Sequence, residues 1–108
     1  MNKYRAKKTT VDGIEFDSKR EAARYRELKL MLKSGLISGL KMQVRYDLIP
    51  AQYIDGKCVE RKVIYISDFE YDERGHHIVE DVKGVRTHDY VIKRKLMLWI
   101  HGVRIKEI

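Results

Sequence analysis

The stretch Val79-Glu80-Asp81-Val82-Lys83-Gly84, VEDVKG, decides how the chain is read. It has the pattern of a short strand closed by a glycine, yet half of its residues are charged. Side chains alternate along a strand, so Asp81 and Lys83 share a face with Val79. Glu80 projects the other way, with Ile78 and Val82. Upstream, RKVIYISDFEY (61–71) is rich in β-branched and aromatic residues and reads as the partner strand. DERG (72–75), with Asp first and Gly last, reads as the turn between them. The two strands therefore form an antiparallel hairpin.

On the upstream strand, Asp68 interrupts the apolar row of Ile64 and Ile66. Folding the hairpin sets Asp68 opposite residue 79, 80 or 81, depending on loop length. A partner at 79 or 81 puts Asp68 on the face of Asp81 and Lys83, whereas a partner at 80 favours Glu80. The sequence leaves this register open. In each case two carboxylates come within about 5–8 Å, and like charges at that spacing repel unless a cation lies between them. Carboxylate oxygens suit Mg²⁺ or Mn²⁺.

Working outward, Ser18 and Glu21 form an S-x-x-E capping box before KREAARYRELKLMLKS, and Gly35 closes the run. The spacing predicts a helix over 19–34. Glu21 leads the row Glu21, Tyr25, Leu28, Leu32 along its core-facing stripe, while Arg20, Arg24, Glu27 and Lys33 mostly lie elsewhere. LKMQVRYDLIP (40–50) reads as a strand stopped by Pro50. Asp12-Gly13 and Asp55-Gly56 mark turns. THDYVIKRKLMLWIHG (87–102) predicts a helix over 88–101, with apolar bulk from Val91, Leu96, Leu98 and Trp99. VRIKEI (103–108) is a short strand, able to return parallel to an earlier one by a right-handed crossover. The order is helix, three strands, helix, strand, with a small N-terminal hairpin.

The 108 residues suffice for one domain, 1–108, with residues 1–10 a basic arm or edge segment. With 44% hydrophobic residues the chain can build a core. No apolar run approaches the roughly 20 residues that span a bilayer, and the basic start MNKYRAKK is not followed by an apolar segment. A cytoplasmic protein is expected. The single cysteine, Cys58, rules out an intrachain disulfide. A net charge of +7 points to a polyanionic partner, with nucleic acid ahead of membrane.

Asp68 in SDF, followed on the next strand by Asp81-Val82-Lys83 as D-x-K, resembles the PD-(D/E)xK nuclease motif, with Ser67 where the motif name has proline. An acid on a preceding helix, here Glu21, is similar to the helical glutamate of archaeal Holliday junction resolvases. The αβββαβ order agrees with that superfamily over nearly the whole chain. The chain also resembles a family of small phage and prophage proteins in KYRAKKTTVDGIEFDSKREAARYREL, SDFEY, VEDVKG and the helix carrying KRKL. The resemblance implies an α/β, restriction-endonuclease-like core: a central mixed sheet flanked by two helices. It further implies a Mg²⁺- or Mn²⁺-dependent endonuclease acting on DNA, in the host cytoplasm if phage-encoded.

In that reading Asp68 and Asp81 are the principal metal ligands, joined by Glu21 and by the backbone carbonyl of Val82. Lys83 orients the attacking water and offsets phosphate charge. Lys93, Arg94 and Lys95 on the second helix, with Lys7 and Lys8 on the arm, are the candidate DNA-backbone contacts. Gln43 either points into the site or is structural. Glu80 is the decoy or a neighbouring support. Tyr90 either touches DNA or packs. His76 and His77 follow a turn and are expected in solvent, and His88 and His101 are read as caps or surface residues. Trp99 is read as core or dimer surface.

A chain this short has little room for a separate sequence-reading domain. That favours cutting selected by DNA shape (branched, flap or junction), as a homodimer if two strands are cut. The competing reading is a phage accessory protein that keeps the nuclease fold and binds nucleic acid without cutting. A structural phage component has no positive support in the sequence.

Overall fold

The computed structural model describes residues 7–82 and 85–108. Among these described residues, two helices and ten short strands follow one another. Strands β1 (Thr9–Val11) and β2 (Ile14–Phe16) form a hairpin over Asp12-Gly13, so the expected arm gives up Thr9 and Thr10 to a strand. Helix α1 (Lys19–Lys33) starts at Ser18, whose Oγ accepts the Glu21 N–H at 3.1 Å. It ends one residue earlier than expected, before the left-handed Gly35.

The expected strand over 40–50 is two strands, β3 (Ser38–Met42) and β4 (Arg45–Ile49). Gln43 divides them with a left-handed φ of 52°. After β5 (Gln52–Ile54) and β6 (Lys57–Glu60), the strand over 61–71 is likewise split, into β7 (Val63–Ile66) and β8 (Phe69–Glu73). The two breaks face each other. Met42 pairs with Phe69 and Arg45 with Ile66, so the register runs on through the bend. Gln43 N–H reaches the Asp68 carbonyl at 3.3 Å and Ser67 N–H the Val44 carbonyl at 2.9 Å. The ladder is bent at Gln43 and Asp68 rather than ended there.

Strand β9 (His76–Asp81), helix α2 (His88–His101) and strand β10 (Lys106–Glu107) complete the chain. The main sheet has the order β10-β9-β8-β3, with β10 parallel to β9 and the other pairs antiparallel. One core joins Ala22, Tyr25 and Leu28 of α1 to Phe69 and Tyr71 of β8. The other joins Tyr90 and Met97 of α2 to Tyr65, Val79, Leu48 and Ile105. Phe69 and Tyr71 of β8 belong to the first core and Val79 of β9 to the second, so α1 and α2 pack on opposite faces of the hairpin. The result is a mixed α/β fold.

Two expectations change at the surface. Tyr90 and Met97, rather than Leu98 and Trp99, are the buried residues of α2, and Trp99 is 83% exposed, so it is not core. The β5–β6 ribbon turns over Asp55-Gly56, both left-handed, and every residue of its two strands is exposed. No helix among the described residues is long and apolar enough to cross a membrane.

Candidate functional site

The hairpin turn sets the register. Strand β8 runs on to Glu73, so Asp72 and Glu73 are strand and the loop is only Arg74-Gly75, both at positive φ (52° and 79°). Two left-handed residues make the tight turn whose twist matches antiparallel strands. Phe69 then pairs with Glu80 and Glu70 with Val79, and the paired ladder ends there, with Asp68 next along at the bend. Two bonds tie Asp68 to the end of β9: its N–H donates to the Glu80 carbonyl at 3.1 Å, and its Oδ2 accepts the Val82 N–H at 2.7 Å, so it engages the backbone on either side of Asp81.

Glu80 and Asp81 then go to opposite faces, as alternation requires. Glu80 is fully buried beneath α1. Arg24 grips it with Nε to Oε1 at 2.9 Å and Nη2 to Oε2 at 2.6 Å, and the Tyr71 hydroxyl donates to Oε2. The pair holds the Arg24 guanidinium above its ordinary pKa, first through the hydrogen bond to Glu80. Arg24 had been assigned away from the core stripe, but it lies one helical turn beyond Glu21 and turns inward. The buried carboxylate across from it is what draws it there, and no local pattern announces that.

Asp81 faces α2. It is 1% exposed, and its Oδ2 accepts the Tyr65 hydroxyl at 2.5 Å. Burial first, and then the bond to Asp81, raise the Tyr65 phenol above its ordinary range, so it remains a donor. Asp68 is half-buried at the bend and borders a cavity of about 250 Å³, together with Glu21, Gln43, Glu15 and Asp17. Glu21 is placed there by its own cap: the N–H is held by Ser18, at the start of a helix that lies over Phe69. The capped position of Glu21 is thus also a place on the wall of this cavity.

The structure therefore brings Asp68 to the backbone that flanks Asp81, with both acids acting on Tyr65, and brings Asp68 to Glu21 and Gln43 around one cavity. Among the described residues, no three acidic, histidine or cysteine side chains stand close enough to form a ready-made metal cage. The donors present are carboxylate oxygens, the type a hard divalent cation takes. Lys83 lies outside the described residues, as does the part of the basic arm before Lys7.

The remaining candidates separate. Lys93, Arg94 and Lys95 are consecutive on a helix and cannot share a face. Lys93 lies toward Lys62 and Ile64, whereas Arg94 and Lys95 line a basic cavity beside β10. Lys7 and Lys8 are exposed, with Lys8 3.4 Å from Glu15. Tyr90 is 5% exposed and packs in the second core instead of facing a ligand. His101 Nε2 lies 2.7 Å from the Asp47 carbonyl, and Thr87, not His88, caps α2.

A polar network on β8 went unnoticed in the sequence. Buried Glu70 accepts from Ser67 Oγ at 2.7 Å and Tyr46 at 2.8 Å, and His77 Nε2 lies 2.8 Å away. His77 Nδ1 contacts Asp72 at 2.9 Å, so the ring, half exposed, bridges two carboxylates instead of standing in water. Asp72 first, and then Glu70, raise the His77 pKa. A raised folded pKa adds stability that is fully present below the unfolded value near 6.5. That contribution is lost as pH rises through the folded value. The unaltered chain should therefore show a decline in unfolding midpoint between about pH 6 and 9, and His77→Gln should flatten it. Identical pH profiles for the two proteins would remove His77 as its source. The effect is modest, because solvent screens a half-exposed pair.

Compared with known proteins, the chain matches over residues 1–104 a family described as "Protein of unknown function (DUF1064)". No curated protein and no solved structure matches it. The match covers nearly the whole chain, the Asp68–Asp81 hairpin and both helices included, and the chain therefore belongs to the DUF1064 family.

Proposed function

We propose that the protein is a metal-dependent DNA endonuclease of the PD-(D/E)xK type, with a restriction-endonuclease-like core. The junction of β8 with the end of β9 carries this reading, because Asp68 is bonded there to the backbone on either side of Asp81, the first residue of D-x-K. Glu21 supports it from the start of α1, on the wall of the cavity that Asp68 borders. The order α1, bent strand pair, β9, α2 and a closing parallel β10 is also the order an αβββαβ core requires.

Asp68, Asp81 and Glu21 are the residues that would hold Mg²⁺ or Mn²⁺, with the Val82 carbonyl as a further oxygen. Such an ion supplies a nucleophilic water at neutral pH and stabilises charge on the phosphoryl oxygens. Glu80 is not part of this set, because Arg24 and Tyr71 already engage both of its oxygens. Val82 N–H holds Asp68 by its Oδ2, and Tyr65 holds Asp81, so each carboxylate is oriented by a donor of the protein. Lys83 takes the role of water orientation and phosphate neutralisation that the motif assigns it.

The test is cleavage of linear duplex, single-stranded, flap and four-way-junction DNA with Mg²⁺, Mn²⁺ or EDTA. Cutting is expected with either metal and none with EDTA, with branched substrates preferred. DNA binding that ignores metal, with no cleavage of any substrate, would sink the proposal in favour of a non-catalytic binding protein.

A further inference from the structure

A second cavity, of about 640 Å³, opens between α2 and β10. Arg86, Arg94, Lys95, Arg104 and Lys106 line it against a single acid, Glu107, a net of four positive charges. Glu107 does not cancel this field but arranges it. Its Oε1 lies 3.2 Å from Arg86 Nε and its Oε2 3.2 Å from Arg94 Nη1. One carboxylate thus fixes two guanidiniums while engaging one nitrogen of each, and a guanidinium carries five N–H donors. Unfixed surface cations lose side-chain entropy on binding an anion, and these two are held in place beforehand.

The position of this cavity is set by the sheet. Glu107 pairs with Asp81 and Lys106 with Glu80 across the parallel β9–β10 step, and Ile108 N–H donates to the Asp81 carbonyl at 3.0 Å. The strand that walls the basic cavity, β10, therefore lies one strand spacing, ~4.8 Å, from the strand that carries Asp81. Planar, forked donors in a cluster of this sign match phosphate oxygens.

The geometry points to a phosphate-binding subsite: the cavity takes a backbone phosphate of a nucleic-acid strand, next to the one presented to the carboxylates. Arg86, Arg104 and Lys106 thereby join Arg94 and Lys95 as contacts, and Lys93 does not belong to the group. This inference rests on the nuclease reading for the identity of the strand, while the binding itself is measured apart from catalysis.

The experiment measures binding of a fluorescent DNA duplex in EDTA over a range of salt concentrations. It compares the unaltered protein with Arg104→Ala/Lys106→Ala. Lys57→Ala/Arg61→Ala, which removes the same charge around the exposed β5–β6 ribbon, is the control. The first pair should weaken binding by roughly tenfold or more and lower the slope of log K against log salt by about 2. The control should change the slope by clearly less. Unchanged binding in the first pair, or an equal loss in the control, overturns the subsite. Saturation of the cavity by inorganic phosphate alone, without any effect of the first pair on DNA binding, overturns it in favour of a small-anion site. Cleavage with Mn²⁺ is scored separately. A protein that binds DNA through Arg104 and Lys106 but cuts nothing keeps the subsite and loses the nuclease, and one that cuts while the first pair binds normally does the reverse.

Discussion

Arg24→Met should lower the unfolding midpoint by roughly 15–25 °C. Glu80 is fully buried, and Arg24 supplies both of its charge-assisted bonds. Among the described residues, removing one partner leaves the carboxylate with only the Tyr71 hydroxyl to replace its water shell. Such a loss costs about 3–5 kcal/mol, against a total stability of about 5–15 kcal/mol for a domain of this size. A loss of that size moves the midpoint by several degrees per kcal/mol. The second contact of Arg24, to Glu27 at 2.9 Å, is exposed and adds little. Arg24→Met combined with Glu80→Leu should recover most of the loss, since a buried ion pair replaced on both sides by apolar groups is close to neutral. A drop of only a few degrees in the single variant, by calorimetry, would show that the pair is not what anchors α1 to β9.

The second large effect is on chemistry. Asp81→Asn should reduce cleavage by on the order of 10³-fold or more while leaving the fold intact. Asparagine keeps the shape and still accepts the Tyr65 hydroxyl through its amide oxygen, so only the negative charge is lost. Glu80→Gln forms the contrast: it should weaken the protein by loosening Arg24 but leave the cleavage rate of the folded fraction near normal. Single-turnover rates for folded samples of both separate the two acids. Full activity in Asp81→Asn, or the larger rate loss in Glu80→Gln, would reverse the assignment of ligand and support.

The features legible in the sequence are those set by neighbours along the chain. Ser18, Glu21 and Gly35 bracket α1, and Thr87 and Gly102 bracket α2, because caps are local chemistry. The split of Glu80 from Asp81 follows from strand alternation alone. The register did not follow. It depends on Arg74 taking a left-handed conformation beside Gly75, whereas Asp72 at the head of DERG suggested a longer turn. The bend at Gln43 was equally hidden, since a glutamine with positive φ has no composition signal. Arg24, Tyr65 and Tyr71 were missed for a different reason. Their roles come from partners 56, 16 and 9 residues away. The basic cavity escaped notice because Arg86, Arg94, Arg104 and Lys106 meet only once α2 has returned the chain beside β9.

The two adjacent acids of β9 also guard against misfolding. A slip of the strand by one residue exchanges its faces. Asp81 would then lie under α1, on a shorter side chain than the one Arg24 grips, and Glu80 would enter the layer of Leu48 and Met97. Two buried carboxylates would lose their partners at once. A one-residue slip is thus penalised twice by one dipeptide, so Glu80-Asp81 proofreads which face of the strand is turned to which helix before any ligand is bound.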